Sequence, residues 1–287
     1  MSSRSEPIEG PGLRAPLGEE LRKLPAFFRR DLLIMWSYRL AFFADWIGLF
    51  SQVILFYLVG RLVNPLALPS FGGQRATYIA FVAVGIALSS FIQLTLGRLS
   101  NAIREAQLAG TLESMLVTPT AAVTWQLGSM VYDLAYVPLR TLVFLVLVSV
   151  LFGVDLFSSG LLPTVVLLLG FIPFGWGLGM ISAGSTLTFR RGGGAISTLV
   201  FFLVVGSNSY FPVGVWPAWA RPLVELNPLT TTLDAMRSTL LGGTGWGQVG
   251  STLVAIIPLS VASMLAGMWV FSLALKRERR RGTLGLY

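Results

Sequence analysis

Residues 104–119, REAQLAGTLESMLVTP, form the longest segment between two apolar runs that is neither apolar nor rich in turn residues. Leu108, Leu112, Met115 and Leu116 recur at i, i+4, i+7 and i+8, the spacing of one helix face, while Glu105, Gln107, Thr111, Glu113 and Ser114 supply a polar side. The pattern predicts a short helix that Gly110 interrupts at modest cost and Pro119 stops. Between two membrane-length runs, such a helix can be a knob that docks into a soluble partner or a linker lying among lipid headgroups. The pattern alone fits both.

The composition of the whole chain explains why the flanking runs are read as membrane spans. Of 287 residues, 54% are hydrophobic and 12% charged, and the mean hydropathy is +0.74. A soluble domain of this length carries about 25% charge, so the chain belongs to the membrane class as one polytopic unit. Six apolar spans are expected near residues 41–62, 77–97, 124–153, 161–188, 195–211 and 250–275, since a crossing takes about 20 residues. The fifth is short and is expected to continue into the polar segment after it.

The remaining stretches frame those spans. Residues 1–18 are rich in Pro, Gly, Ser and charge and read as a disordered tail. Residues 19–40 combine Leu21, Leu24, Phe28, Leu32 and Met35 at helical spacing with Arg22, Lys23, Arg29 and Arg30, which predicts a basic interfacial helix. No secretory signal peptide is evident, because the first long apolar run starts near Ala41. Arg190 to Gly194, RRGGG, reads as a tight turn, and 276–287 as a basic tail. From Pro212 to about Gly247 the chain is too polar to span and too long for a turn. Pro217 can start one short helix, and Asn227-Pro228 breaks it before a second, so two re-entrant helices are expected there.

Charge fixes the expected orientation. With the N-terminus inside, 16 Lys and Arg fall on the cytoplasmic side and four (Arg61, Arg75, Arg221, Arg237) outside, with Arg140 within a span. The positive-inside rule then places both termini and residues 104–119 in the cytoplasm, in a plasma (inner) membrane. The net charge of +8 is accounted for by this asymmetry and by membrane lipid, without nucleic acid.

The absent residue types narrow the chemistry. The chain has no Cys and no His, which removes disulfides, thiolate metal sites and a Ser–His hydrolase. Its two lysines, Lys23 and Lys276, follow Arg22 and Leu275, so no Gly-Lys-Ser/Thr phosphate loop can form. Tyr132-Asp133 resembles half of an intramembrane aspartyl protease site, but Asp45, Asp155 and Asp234 lack the Gly-x-Gly of the other half. The expectation is a protein that is no enzyme and binds no cofactor or metal of its own.

Buried charge costs about 2.5–3.5 kcal/mol in a span, so Asp45, Asp133 and Arg140 are candidates for a special role. Asp45 is expected to be solvated near the inner interface. Asp133 and Arg140 stand about 10 Å apart along one helix, too far for a direct pair, and Arg140 is expected to bond exposed backbone or a neighbouring helix. Gln52 and the cluster Ser207, Asn208, Ser209 are better candidates for lining a path.

Two stretches carry a family resemblance. GTLESMLVTP, Gly110 to Pro119, resembles the loop between the second and third helices of ABC-2-type export permeases, and PVGVWPAWARPLVELNPLTTTLDAMR, Pro212 to Arg237, resembles their outer segment between helices five and six. Both lie in the family's order, and with the span layout the resemblance covers about residues 20–280. It implies an all-α fold of six transmembrane helices with an amphipathic N-terminal interfacial helix, a cytoplasmic coupling helix and re-entrant outer helices. It further implies a separate ABC ATPase that carries ATP and Mg, and a second permease subunit, identical or not. The function it implies is ATP-driven export of a hydrophobic drug or lipid-like substrate; a polysaccharide or teichoic-acid chain is the other cargo class in the family, and a non-transporting scaffold is the reading outside it. Glu105, Leu108, Leu112, Glu113, Met115 and Leu116 would then contact the ATPase, and Gln52 with Ser207–Ser209 would lie on the two helices that flank the route. Many relatives carry an acid two or three residues before the motif glycine; here Leu108 and Gln107 stand there, which leaves Glu105 and Glu113 both open as the contacting acid.

Overall fold

In hydrocarbon every backbone polar group needs an internal partner, and the long apolar runs meet that demand as helices. The computed structural model describes residues 25–26, 28–33, 36–37, 39–62, 68–71, 74–108, 110, 122–154, 156, 161–189, 192–242 and 246–281. In order these form α1 (Arg39–Gly60), α2 (Tyr78–Leu108), α3 (Ala122–Phe152), α4 (Leu161–Thr188), α5 (Gly192–Val205), α6 (Arg221–Glu225), α7 (Pro228–Leu241) and α8 (Trp246–Arg281). A two-residue antiparallel pairing, Ser70–Phe71 with Gln74–Arg75, precedes α2. Five helices, α1 to α4 and α8, are long and apolar enough to cross a membrane. The protein is an all-α membrane protein.

The core is built on α2 and α4. Residues 78–89 of α2 are buried on every side, as a helix apolar all round must be when it is enclosed by others. Glycines let α4 approach two neighbours on two faces. Gly175 and Gly179 lie against Phe91 and the Thr95 backbone of α2, while Gly177 and Gly184 lie against Ser263 and Phe271 of α8. Hydroxyls tie the same helices: Ser100 donates to Ser182 at 2.9 Å and the half-buried Ser263 to the Phe174 carbonyl at 3.1 Å. By contrast α1 and α8 turn Phe43, Ile47, Leu55, Val254, Leu265 and Trp269 outward, where lipid covers them at no hydrophobic cost.

Several expected boundaries move. The α2 helix runs eleven residues past the expected span end at 97, and Arg104–Leu108 form its last turn rather than the start of a separate helix. Gly110 follows with φ +65°, a left-handed conformation that ends a helix. The first part of the amphipathic helix expected over Arg104–Pro119 is thus the end of α2, and residues 111–121 lie outside the described part. Of the expected tight turn Arg190–Gly194, Gly192–Gly194 already belong to α5, and Arg190 and Arg191 lie outside the described residues. The basic residues from Lys276 to Arg281 are not a separate tail but the last turn and a half of α8. Helical residues appear at 28–33, within the expected interfacial helix.

Candidate functional site

The fifth apolar run stops short. At 1.5 Å per residue, the 14 residues of α5 reach about 21 Å, less than the roughly 30 Å of a hydrocarbon core. Gly206-Ser207-Asn208-Ser209 follow, residues whose small polar side chains compete with the helical backbone, and the chain turns there. A helix that ends inside a bundle leaves carbonyls that must find donors. Asn227 supplies two of them: its amide nitrogen donates to the Leu203 carbonyl at 2.7 Å and the Gly206 carbonyl at 3.2 Å. Its amide oxygen accepts from the Leu229 backbone at 3.0 Å, capping α7 as Pro228 enters it. One side chain thus closes the end of α5 and the start of α7. The two short helices on either side of Asn227-Pro228 are α6 and α7, as the sequence leads one to expect.

Arg237 supplies the other donors. Counted with the outer charges from sequence, it is fully buried (0% exposed) in the structure. Its Nη2 donates to the carbonyls of Asn208 and Ser209 at 3.0 and 3.3 Å, and Nε and Nη2 donate to the Phe81 carbonyl at 3.1 and 2.9 Å. Asp234, one turn back, is its counter-ion at 3.8 Å and also accepts from the Asn208 amide. Burial lowers the Arg237 pKa to about 9 against the pull of Asp234; burial raises that of Asp234, opposed by Arg237 and Asn208. Both stand on a helix outside the five long spans. Gly85 of α2 receives the turn, since a methyl group there would overlap the Ser209 carbonyl.

Ser207, Asn208 and Ser209 are therefore buried in a structural knot, with Ser89 donating to Ser209 at 3.1 Å and the hydroxyls of Ser207 and Ser209 at 2.6 Å from each other. They do not line the neighbouring cleft. That cleft, about 470 Å³, lies between α1, α2 and α5, and Gln52, Gln93, Ser197 and Tyr210 place polar groups on otherwise apolar walls. Gln52 lines this cleft, and its amide donates to the Tyr210 hydroxyl at 3.1 Å. Tyr210 stacks on Phe56 at 4.9 Å, and its carbonyl accepts from the Tyr78 hydroxyl at 3.2 Å. These contacts roof the cleft at the end nearer Gly60, and the knot lies directly behind the roof.

The intramembrane charges form a different set from the expected one. Asp45 is not left to solvent: its Oδ2 accepts from Arg140 Nε at 3.1 Å and Nη2 at 2.6 Å. Arg140 Nη1 also donates to Ser90 at 3.3 Å, so one guanidinium joins α3 to α1 and α2. This is the neighbouring-helix role expected for Arg140, with a partner the sequence did not suggest. Asp133 is buried on α3. Glu105 and Leu108 belong to the last turn of α2, with side chains outside the described residues, and Leu112, Glu113, Met115 and Leu116 lie wholly outside them.

Sequence reading missed Arg237, although a signal was present. Asp234 and Arg237 stand at i, i+3 on a helix that opens with Asn-Pro and carries Thr230, Thr231 and Thr232, a polarity that fits a helix buried against backbone rather than lipid. Among the described residues no group of three or more acidic, His or Cys side chains could hold a metal ion. No family model matches the chain, and no curated protein matches it in sequence.

Proposed function

We propose that the chain is the membrane permease of an ATP-driven exporter, working with a separate ATPase that binds ATP and Mg and with a second permease subunit in the plasma (inner) membrane. The observation that carries this reading is the cleft between α1, α2 and α5, apolar with a few polar groups and roofed by Tyr210, Gln52 and Tyr78. Support comes also from the GTLESMLVTP segment, which follows α2 on the side richer in Lys and Arg. In the orientation of that charge bias the roof faces outward and the cleft runs toward the cytoplasmic half. α5, the sixth and shortest of the apolar helices, completes a six-helix count with its outer end carried by the turn and by α6 and α7. A cleft of about 470 Å³ suits a compact hydrophobic or lipid-like molecule better than a polymer.

Export requires that ATP binding favour the outward arrangement over the inward one. The ATPase would act on residues 105–116, and opening would separate Gln52 from Tyr210 while the knot behind it holds. Buried anchors at such contacts cost roughly 2 kcal/mol or more each on truncation. Leu112→Ala with Leu116→Ala is thus expected to release the ATPase while the permease still inserts, whereas Glu113→Gln weakens binding modestly and less at high salt. A pull-down with wild-type recovery of the ATPase from the Leu pair, at equal permease level, leaves the headgroup-linker reading standing instead.

A further inference from the structure

At the far end of the molecule from the Tyr210 roof, α4 and α8 part to leave a second cleft of about 740 Å³. One wall is apolar, with Phe189, Val270 and Leu273, and its rim carries Lys276, Arg277 and Arg280 from the last turns of α8 beside the hydroxyls of Ser185 and Thr188. All three cations are exposed, and among the described residues none of the three is held in an ion pair. The acid in the same stretch, Glu278, is buried and engaged elsewhere. The apolar wall continues along α8 to Leu265 and Trp269, which face outward.

We infer that this cleft binds the headgroup of an anionic phospholipid, with the phosphate at the Lys276–Arg277–Arg280 rim and the first acyl carbons along Phe189, Val270 and Leu273. The chemistry recognised is a phosphate ester. The apolar wall commits the site to a lipid rather than to a free phosphate, because a soluble anion has nothing to place against it. Charge density and depth agree: the cations sit about two to three turns beyond the outward-facing Trp269, where the hydrocarbon gives way to headgroups. The inference depends on the cleft and the charge bias, and holds whether or not the chain is an exporter.

The test uses the full chain in nanodiscs of equal phosphatidylglycerol and phosphatidylcholine, with native mass spectrometry counting the lipids retained after release. Wild type is expected to retain phosphatidylglycerol preferentially. Each cation near a membrane surface contributes about a five-fold preference, so Lys276→Gln with Arg277→Gln and Arg280→Gln is expected to lower the ratio at least about ten-fold. Ser185→Phe, which fills the cleft and changes no charge, is expected to lower it too, and millimolar glycerol phosphate is expected to leave it unchanged. Removing the same charge elsewhere, in Arg22→Gln with Lys23→Gln and Arg29→Gln, is expected to have little effect. An unchanged ratio in the triple or the Ser185 variant overturns the site, as does an equal loss in the N-terminal control. Displacement by glycerol phosphate points to a soluble anion and overturns the lipid assignment. Loss of a co-purifying acidic protein from the triple variant, with phosphatidylglycerol still retained, assigns the rim to that protein instead.

Discussion

Arg237 and Phe81 meet through both of their halves. The guanidinium donates two hydrogen bonds to the Phe81 carbonyl and lies over the Phe81 ring, 3.5 Å from its centroid. The same group also closes the Asn208 and Ser209 carbonyls, so it joins α2, α7 and the end of α5 at one point. Bonds from a charged donor contribute about 1.5–3 kcal/mol each, and a buried acceptor left bare adds its own penalty. Arg237→Met is therefore expected to destabilise the protein by roughly 3 kcal/mol or more. Arg237→Lys recovers only part, because an ammonium cannot serve three carbonyls through a planar fork. Thermal unfolding in detergent or nanodiscs measures both; a Lys variant as stable as wild type shows that charge alone suffices.

Gly85 is expected to be the least replaceable residue of α2. The atoms that a side chain would meet are the backbone of Ser209, which Arg237 and the Ser89 and Ser207 hydroxyls hold in place. Gly85→Ala should cost about 1–3 kcal/mol by overpacking. Gly48→Ala on α1, with open space around it, serves as the comparison and should stabilise slightly or do nothing. Equal melting temperatures for the two variants would show that the Ser209 turn can shift.

Asp45 and Arg140 are 95 residues apart in sequence and share two hydrogen bonds. Asp45 is 43% exposed while Arg140 is 6% exposed, so the two single changes are unequal. Asp45→Asn leaves a cation enclosed by protein without its counter-ion and should cost more than Arg140→Gln, which leaves a carboxylate that the protein does not enclose. A double-mutant cycle should return a coupling of about 1–3 kcal/mol. Additive single effects would mean that the pair does not hold α1 to α3.

Those two pairs mark where sequence reading ended. Local pattern fixed what local forces control: residues 161–188 form the expected span to the residue, and Asn227-Pro228 divides α6 from α7 because a cap and a proline act within one turn. Gly110 was legible as an interruption, but its positive φ, which makes it a full stop, depends on backbone geometry that a periodicity cannot register. Arg237 with Phe81 and Arg140 with Asp45 are contacts between helices remote in the chain, and an apolar period carries no information on which helices become neighbours. Gln52 stood out as a lone amide on an apolar span, and it borders a cleft. The cluster 207–209 stood out in the same way, and its hydroxyls are engaged within a buried turn.

The orientation has a direct test, since the chain has no native cysteine. Leu226 is 84% exposed beside α6 and Phe189 is 60% exposed after α4. In sealed cells a membrane-impermeant maleimide is expected to label Leu226→Cys, and Phe189→Cys only after permeabilisation. The reverse pattern would invert the protein and move the α4–α8 cleft to the outer leaflet.

The shortness of α5 has a consequence for the bilayer around it. Its 14 residues reach about 21 Å, while Leu199, Phe201 and Phe202 face outward from it. Lipid chains lying against those side chains meet an apolar surface shorter than the roughly 30 Å of hydrocarbon elsewhere. Such a mismatch costs a fraction of a kcal/mol for each Å by which the bilayer must thin, so the membrane beside α5 is drawn inward at its outer end and a bilayer of shorter acyl chains is the better fit there.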